Sequence, residues 1–232
     1  MANLTAQDRE RYVRDVFTRI AARYDLMNRL MTGGQDVSWR REVIARADLH
    51  PGDHLLDLGA GTGDLAREAL RQQPQAAVVA ADFTLKMMTV GKISRPELRD
   101  WNAADALHLP YPDASFDVIV SGYLLRNVSD IQQALREQYR VLRPGGRIVA
   151  LDTTRPRKNW LYPFISFYLH TIIPALGWLL TRQRDAYTYL PDSTEHFLRA
   201  EELAARMATV GFREVVFRRR MFGTMAIHWA KK

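Results

Sequence analysis

The sequence of 232 residues contains no cysteine. This absence excludes disulfide bonds, thiolate metal ligands and any mechanism with a cysteine nucleophile. The chain also lacks a long low-complexity tract, and its 47% hydrophobic content suits one well-packed globular domain. Segment 1–10 carries charges where a signal peptide would need an apolar core, so we expect a cytoplasmic protein.

Acidic residues are fewer than basic ones, which gives a net charge of +7. Such a charge favours an anionic partner, either a nucleic acid or an anionic membrane surface. The basic residues are scattered, and Arg218–Arg220 is their densest cluster. We interpret this cluster as the solvated end of an edge strand, with a binding patch as the alternative.

A glycine-rich turn follows a short apolar strand and is the most informative stretch present. Gly59, Gly61 and Gly63 are spaced G-x-G-x-G, and Asp57 and Asp64 flank them. Glycines at the carboxyl end of a first parallel strand let the backbone turn tightly and leave room for a nucleotide cofactor. The flanking acids would repel the pyrophosphate of a dinucleotide, so the pattern favours a cationic ligand.

A further acid, Asp82, ends the next apolar run, Ala77–Ala81. It lies about 20 residues beyond the loop, where doubly wound folds place the carboxylate that binds the ribose hydroxyls. Loop and acid together resemble the S-adenosylmethionine (SAM) site of class I methyltransferases. The alternative, a glycine turn without a ligand, rarely carries such a spaced acid.

Alternating apolar strands and helical segments predict the architecture. The first five predicted strands are separated by helical segments, which indicates parallel pairing through right-handed crossovers. The last two are joined by a short link around Met221, which predicts an antiparallel hairpin. The fold class is therefore α/β, a three-layer sandwich with a Rossmann-like class I methyltransferase sheet and a C-terminal antiparallel hairpin. The predicted strands are His54–Leu58, Ala77–Asp82, a short one near Trp101, Phe116–Ser121, Arg147–Asp152, Arg213–Arg218 and Phe222–Ala230.

Helix signals divide the chain into an N-terminal helical cap, 1–50, and a methyltransferase domain, 51–232, with an apolar insertion at 155–195. An amphipathic helix is predicted over Thr5–Arg23, with Thr5 and Asp8 in a capping box, and a second helix around Trp39. Tyr24–Asn28 and Gly33–Gly34 are predicted to form an irregular connector. The capping box Ser129-x-x-Gln132 predicts a crossover helix that ends at Pro144–Gly146, and a later helix ends at Gly211.

The apolar segment 160–180 is long enough to suggest a membrane span. Pro163 and Pro174 argue against a span, as does its position between two strands of one sheet. We expect an insertion that covers the active site and touches the membrane at headgroup level through Trp160, Tyr162 and Trp178. The alternative is an ordinary core helix.

Several further motifs are similar to one family. Phe17–Trp39, Leu125–Val128, Tyr187–Leu190 and the closing strand resemble the ubiquinone/menaquinone biosynthesis C-methyltransferases. These enzymes methylate a ring carbon of a polyprenylated quinol, and the similarity covers nearly the whole chain. There are two departures: members often read Leu-Ala-Gly-Gly where this chain has Leu58–Gly61, and a glycine where it has Leu124.

The resemblance implies the cofactor site. It places Thr62 and the glycines beside the methionine moiety of SAM, Asp82 on the ribose, and Ala104 and Asp105 on the adenine. Asp105 could instead be a turn residue. No metal is expected. The predicted cofactor-binding residues are Asp57, Gly59, Gly61, Thr62, Gly63, Asp82, Phe83, Ala104, Asp105, Ala106 and Ser121.

Four residues are candidates for catalysis. His170 corresponds to a histidine of the family, and its ordinary pKa of about 6.5 suits a base, although a core histidine is the alternative. Arg126 follows the fourth strand and could stabilise a phenolate or form a structural salt bridge. Asp152 and Tyr187 are candidates for holding a ring hydroxyl.

The function we expect is C-methylation of demethylmenaquinol or a related polyprenylated quinol. An RNA methyltransferase is disfavoured, because the chain lacks a cysteine and an Asn/Asp-Pro-Pro-aromatic motif after the fourth strand. A methyltransferase of a soluble phenol or another lipid, and a non-catalytic SAM-binding protein, remain alternatives. We expect no nucleic acid partner and a peripheral contact with the anionic inner face of the cell membrane; a homodimer stays open.

Overall fold

A seven-stranded sheet forms the centre of the molecule, a computed structural model that describes residues 6–158, 160–181, 193–195 and 197–232. The strands are β1 (His54–Leu58), β2 (Ala77–Asp82), β3 (Asp100–Ala103), β4 (Phe116–Gly122), β5 (Leu142–Thr153), β6 (Arg213–Arg220) and β7 (Met225–Lys231). Their spatial order is β3-β2-β1-β4-β5-β7-β6. Strands β1 to β5 pair in parallel, and β7 lies antiparallel between β5 and β6. The predicted sheet and its C-terminal hairpin are confirmed.

The described helices precede, connect and follow these strands. They are α1 (Ala6–Ile20), α2 (Tyr24–Met31), α3 (Gln35–Ala47), α4 (Asp64–Gln72), α5 (Leu85–Ser94), α6 (Ile131–Val141), α7 (Tyr162–Phe167), α8 (Ile173–Thr181) and α9 (Ala200–Val210). A 3₁₀ turn, Ala21–Arg23, joins α1 to α2, and a π-helical turn, Tyr168–Ile172, joins α7 to α8.

Helices cover both faces of the sheet, which makes it the middle of three layers. In β4, Val118 and Val120 pack with the side chains of α3 and α4, whereas Ile119 packs with those of α6 and α9. Because both faces are covered, successive side chains of the strand are all buried, as parallel sheets require. Helix α3 is part of this sandwich. Within segment 1–50, this leaves α1 and α2 to cover the edge of the sheet where the parallel strands have their carboxyl ends.

The prediction of an irregular connector at Tyr24–Asn28 is wrong, because these residues begin α2. Tyr24, Met27 and Asn28 share one helical face, and Met27 and Asn28 are buried. Asp25 lies in the first turn, where a carboxylate is favourable. The buried face contains polar residues, so the apolar periodicity that identifies a helix was weak here.

The start and end of the crossover helix also differ from the prediction. Asp130, not Ser129, is the N-cap, and its side chain accepts a hydrogen bond from the N–H of Gln133 at 3.0 Å. The helix ends at Val141, and β5 begins at Leu142 and includes Pro144–Gly146. An aspartate one residue later can replace serine as a cap because both supply a side-chain acceptor.

The end of α1 and the start of β7 each differ by a few residues from the predicted positions. Helix α1 ends at Ile20 and gives way to the 3₁₀ turn; Thr5 of the predicted capping box lies outside the described residues. Strand β7 begins at Met225, because Met221–Gly223 forms a 3₁₀ turn that connects the hairpin.

The insertion is a helical segment with two different faces. Ile165, Leu169 and Ile173 are buried and pack near Met31 of α2. Trp160, Phe164, Phe167 and Trp178 are exposed. Within the described part of the chain, no helix is both long and apolar enough to cross a bilayer.

Candidate active site

A pocket opens at the carboxyl ends of β1, β2 and β4. This is the edge where open α/β sheets bind ligands. Most of the predicted cofactor residues line this pocket, hereafter the cofactor pocket. They are Gly59, Gly61, Asp82, Phe83, Ala104, Asp105 and Ala106.

The two acids of the cofactor pocket are fixed by backbone donors. One Asp82 oxygen accepts from the N–H of Gly61 at 2.7 Å, and the other accepts from the N–H of Thr84 at 2.6 Å. Burial raises the pKa of Asp82, and these hydrogen bonds act in the opposite direction. Asp105 accepts from the N–H of Leu107 at 2.9 Å. Carboxylate oxygens are also the acceptors that hydroxyl and amino donors of a ligand require.

Four predicted cofactor residues do not line the cofactor pocket. Asp57 is buried behind it and accepts from the N–H of Ala66 at 2.9 Å, in the first turn of α4. Thr62 and Ser121 are buried, and Gly63 packs against the ring of Trp101. These four residues support the loop and the strand that form the wall of the pocket.

The cap supplies pocket residues that the sequence did not identify. Val13, Arg14 and Phe17 of α1 and Tyr24 of α2 close the pocket from outside the sheet. The Arg14 guanidinium lies 5.7 Å from the centre of the Phe83 ring. The motif around Tyr24 was recognised as characteristic of the family, but nothing in it indicated contact with the cofactor.

A buried network of ion pairs joins the cap to the glycine loop. Asp25 of α2 accepts a hydrogen bond from the Thr62 hydroxyl at 2.7 Å and pairs with Arg95 at 2.8 Å. Arg95 also pairs with Asp64 at the start of α4, and Arg40 of α3 lies 3.2 Å from the other Asp64 oxygen. Burial acts to raise the pKa of Asp64, but the two guanidinium groups hold it below its usual value.

The cofactor pocket fits SAM. Gly61 has a φ of +58°, and a Cβ there would lie 3.2 Å from Met87, so the loop is tight where the ligand approaches. The fixed carboxylates of Asp82 and Asp105 match hydroxyl and amino donors and suit a cation. Among the residues the structure describes, no group of three or more His, Asp or Glu side chains is placed to hold a metal ion.

A second pocket lies beside the first between α2, the insertion and the β6–β7 turn. Tyr123 lines both pockets. The second pocket, hereafter the acceptor pocket, is mostly apolar but includes Arg126. Its apolar lining is Met31, Leu169, Ile173, Met221 and Met225.

Arg126 and Asp152 lie together at the base of the acceptor pocket. The Arg126 Nε is 3.8 Å from one Asp152 oxygen, and the Arg126 backbone N–H donates to the other at 3.2 Å. Asp152 is 1% exposed and does not line the pocket. Burial raises its pKa to about 6, against the opposing charge of Arg126. Asp152 therefore positions Arg126 and does not itself face a ligand.

The structure does not bring His170 to either pocket. Its ring lies 2.9 Å from a carboxylate oxygen of Glu195, and its side chain is 40% exposed. The neighbouring Leu169 and Ile173 face the acceptor pocket instead. Tyr187 lies outside the described residues.

Comparison with known proteins agrees with this geometry, since residues 5–232 match the ubiE/COQ5 methyltransferase family. The chain belongs to the ubiE/COQ5 methyltransferase family. It is 46% identical to the ubiquinone/menaquinone biosynthesis C-methyltransferase UbiE of Desulfotalea psychrophila, over 95% of this chain and 90% of the relative. It is 41% identical to the demethylmenaquinone methyltransferase of Thermus thermophilus, over 92% of this chain and 98% of the relative.

Among solved structures, the [4+2]-cyclase SpnF superposes with a TM-score of 0.69 and 17% identity, over 98% of this chain and 96% of that chain. At this identity the similarity concerns the fold alone. Membership of the family makes the protein a SAM-dependent methyltransferase, and the cofactor pocket is the site that its geometry offers to SAM.

The two departures from the family pattern contact each other. A Cβ at position 59 would lie 2.9 Å from the Leu124 Cδ1 and 3.2 Å from its Cβ. Gly59 also has a φ of +72°. The absence of a side chain at position 59 thus creates the space that Leu124 occupies, and an alanine there would need a smaller residue at position 124.

This contact predicts a coupled effect on SAM binding. Gly59→Ala should weaken binding, because the new methyl group displaces Leu124 and the residue must hold a positive φ. Leu124→Gly in the same chain removes the collision, so the double variant should recover affinity relative to Gly59→Ala. Calorimetric titration of SAM into the parent, the two single variants and the double variant should give a coupling energy of about 1 kcal/mol or more between the two positions. Strictly additive effects would contradict the contact.

Asp57 predicts a pH dependence of stability. Burial raises its pKa to about 7 from the ordinary 3.8. The folded protein keeps this proton where the unfolded chain releases it, so ionisation of Asp57 costs stability as pH rises between these values. Asp57→Asn removes that cost. Relative to the parent protein, its free energy of unfolding in urea should rise from about pH 4 to about pH 7 and then level off.

Asp117→Asn is a control of opposite sign. Burial acts to raise the pKa of Asp117, but Arg143 and the His54 N–H lower it overall. Its ionised form therefore stabilises the fold above about pH 4. This variant should be less stable than the parent at neutral pH, and the deficit should shrink only as pH falls below about 4. A pH-independent difference for Asp57→Asn would show that its pKa is not raised.

Proposed function

We propose that the protein transfers the methyl group of SAM to a ring carbon of a reduced, polyprenylated quinone, with demethylmenaquinol as the leading candidate. The observation that carries this proposal is the acceptor pocket, which adjoins the SAM site and combines an apolar lining with Arg126. The relatives named UbiE and demethylmenaquinone methyltransferase support the same substrate class.

The chemistry requires an electron-rich ring carbon. SAM supplies an electrophilic methyl group on a cationic sulfonium. Loss of a proton from a ring hydroxyl makes the neighbouring carbon nucleophilic, and that carbon loses its own proton after the transfer. The protein must therefore hold the ring in line with the methyl group and stabilise the phenolate, and orientation alone can supply several kcal/mol.

Arg126 is suited to stabilise the phenolate. It is 7% exposed and lines the acceptor pocket, and a guanidinium presents several N–H donors to an oxygen. The carboxyl of Asp152 accepts the Arg126 backbone N–H and lies beside the guanidinium. A cation fixed in this way before the reaction needs no reorganisation when charge develops on the ring oxygen.

Methyl transfer from labelled SAM to short-chain demethylmenaquinol tests this proposal. The reduced ring should accept label and the oxidised ring should not, because only the quinol can form a phenolate. Arg126→Gln should lower the rate roughly 10²- to 10³-fold, the loss seen when one oxyanion donor is removed. His170→Ala should leave the rate within a few-fold of the parent, because its side chain contacts Glu195 outside the pockets.

Arg67→Gln is the matched control, because Arg67 is 62% exposed, pairs with Glu97 at 3.4 Å and lines neither pocket. SAM affinity should be the same in all these variants. A normal rate for Arg126→Gln, or label in the oxidised ring, would contradict the mechanism. Loss of activity in His170→Ala alone would restore His170 as the base.

We also propose that the insertion contacts an anionic membrane, where a polyprenylated quinol resides. Leu169 and Ile173 face the acceptor pocket, while Trp160, Phe164 and Trp178 on the same insertion are 79%, 70% and 59% exposed. Exposed aromatic clusters of this kind suit the headgroup level of a bilayer. The exposed Arg157 and Lys158 precede Trp160 and supply positive charge beside the cluster.

Sedimentation with phosphatidylglycerol vesicles checks this contact. Trp160→Ser combined with Trp178→Ser should weaken binding about tenfold or more, because each exposed aromatic loses burial in the interface. Ile93→Ser is the control, since Ile93 on α5 is as exposed as Trp160, at 79%, but lies outside the insertion. Equal binding of all three proteins would contradict a role for the aromatic face.

A further inference from the structure

Tyr123 occupies an unusual position at the boundary of the two pockets. It follows β4 directly, is 8% exposed, and lines both the SAM site and the acceptor pocket. Its backbone has a φ of +63°, a left-handed conformation that is rare for an aromatic residue. The Tyr123 N–H donates to the Leu151 carbonyl at 2.7 Å, and its own carbonyl accepts from the Asn127 side chain at 2.6 Å. These bonds hold the strained backbone in place.

Two hydroxyl groups of the acceptor pocket are buried without a hydrogen-bond partner among the described residues. They belong to Tyr123 and Thr153. Other hydroxyls of the same pocket are satisfied: Thr32 donates to the Asn28 carbonyl and Thr224 to the Met221 carbonyl, each at 2.8 Å. A buried unpaired hydroxyl costs about 1–3 kcal/mol, and in the wall of a pocket such a hydroxyl is available to a partner that arrives with a ligand.

The surroundings of the two hydroxyls identify the chemistry of that partner. The Arg126 guanidinium carbon lies 5.4 Å from the centre of the Tyr123 ring. Thr153 follows Asp152, whose carboxyl accepts the backbone N–H groups of both Thr153 and Arg126. Tyr123, Thr153 and Arg126 therefore line the same pocket, and the two unpaired hydroxyl oxygens are buried in its wall. Such a set suits an oxygen acceptor on an otherwise apolar ring.

We infer that the hydroxyls of Tyr123 and Thr153 bind the ring oxygens of the methyl acceptor and that Tyr123 sets the position of the ring relative to the methyl donor. This inference rests on the proposed quinol substrate and adds the residues that orient it. No covalent step is involved, because both hydroxyls act as hydrogen-bond donors.

The protonation state of Tyr123 agrees with this role. Burial raises its pKa above the ordinary value for tyrosine, and the nearby charge of Arg40 acts in the opposite direction. The phenol therefore stays protonated at neutral pH and donates to an oxygen. Because the residue also borders the SAM site, a ring held by its hydroxyl lies directly beside the methyl donor.

Tyr123→Phe and Thr153→Val test the inference. Each substitution keeps the shape of the side chain and removes an unpaired hydroxyl. Without substrate, both variants should be as stable as the parent or more so, and the Kd of SAM should stay within about twofold. The kcat/KM for the reduced quinol should fall about tenfold or more in Tyr123→Phe, because the substrate oxygen then lacks its donor.

Tyr111→Phe is the matched control. The Tyr111 hydroxyl is also buried, but the residue lines neither pocket. This variant should keep the parent kcat/KM. Parent-like kcat/KM in both Tyr123→Phe and Thr153→Val would overturn the inference, as would a loss of activity that merely parallels a loss of folding or of SAM binding.

A binding experiment separates this inference from the proposed function. Calorimetry with SAM-saturated protein would compare 1-naphthol with naphthalene, which lacks the oxygen. The parent protein should prefer 1-naphthol about tenfold, and Tyr123→Phe should lose most of that preference. Such a preference without turnover of any quinol would refute the proposed function but keep the oxygen site. Turnover of the quinol without a preference for 1-naphthol would keep the proposed function and refute the oxygen site. A preference that Tyr123→Phe retains would also refute the oxygen site.

Discussion

The buried ion pairs around Asp64 are the interaction on which the rest of the site depends. Their members come from α2, α3, the start of α4 and the residue after α5, so every helix next to the glycine loop contributes one. Burying a charge costs several kcal/mol, and a partly formed network is worse than none. The cap and the loop must therefore reach their positions together. Tyr24, next to Asp25, is thereby fixed as a wall of the SAM site.

The elements added to the sheet, and not the sheet itself, determine which reaction the site can perform. SpnF shares the fold and is named a cyclase, so the shared fold does not by itself determine the reaction. In this chain the acceptor pocket is built by α2, the insertion and the β6–β7 turn, around Arg126 at the end of β4. These elements close over one edge of the sheet, which lets an apolar substrate reach a cofactor held by polar groups.

The sequence predicted those features that depend on local pattern. All seven strands were located to within a few residues, except for the early start of β5, because short apolar runs between helical segments and turns mark most of them. Of the predicted cofactor residues, Gly59, Gly61 and Asp82 line the cofactor pocket, and their role in SAM binding stays a prediction. The prediction failed where tertiary contacts decide: Thr62 turns towards Asp25, and α1 and α2 reach the cofactor pocket from a distant part of the chain.

The position of His170 shows why a suitable residue type in the expected segment is insufficient to identify a catalytic residue. Consecutive residues of a helix point about 100° apart, so a helix that turns Leu169 and Ile173 inwards turns His170 away. Glu195 then holds the ring outside the acceptor pocket. None of the described residues that line the acceptor pocket is a histidine, so in the proposed reaction these residues promote ionisation of the quinol at the oxygen itself. A guanidinium and two hydroxyl donors stabilise the charged form and lower the pKa of the bound quinol, which reduces the strength of base that the reaction requires.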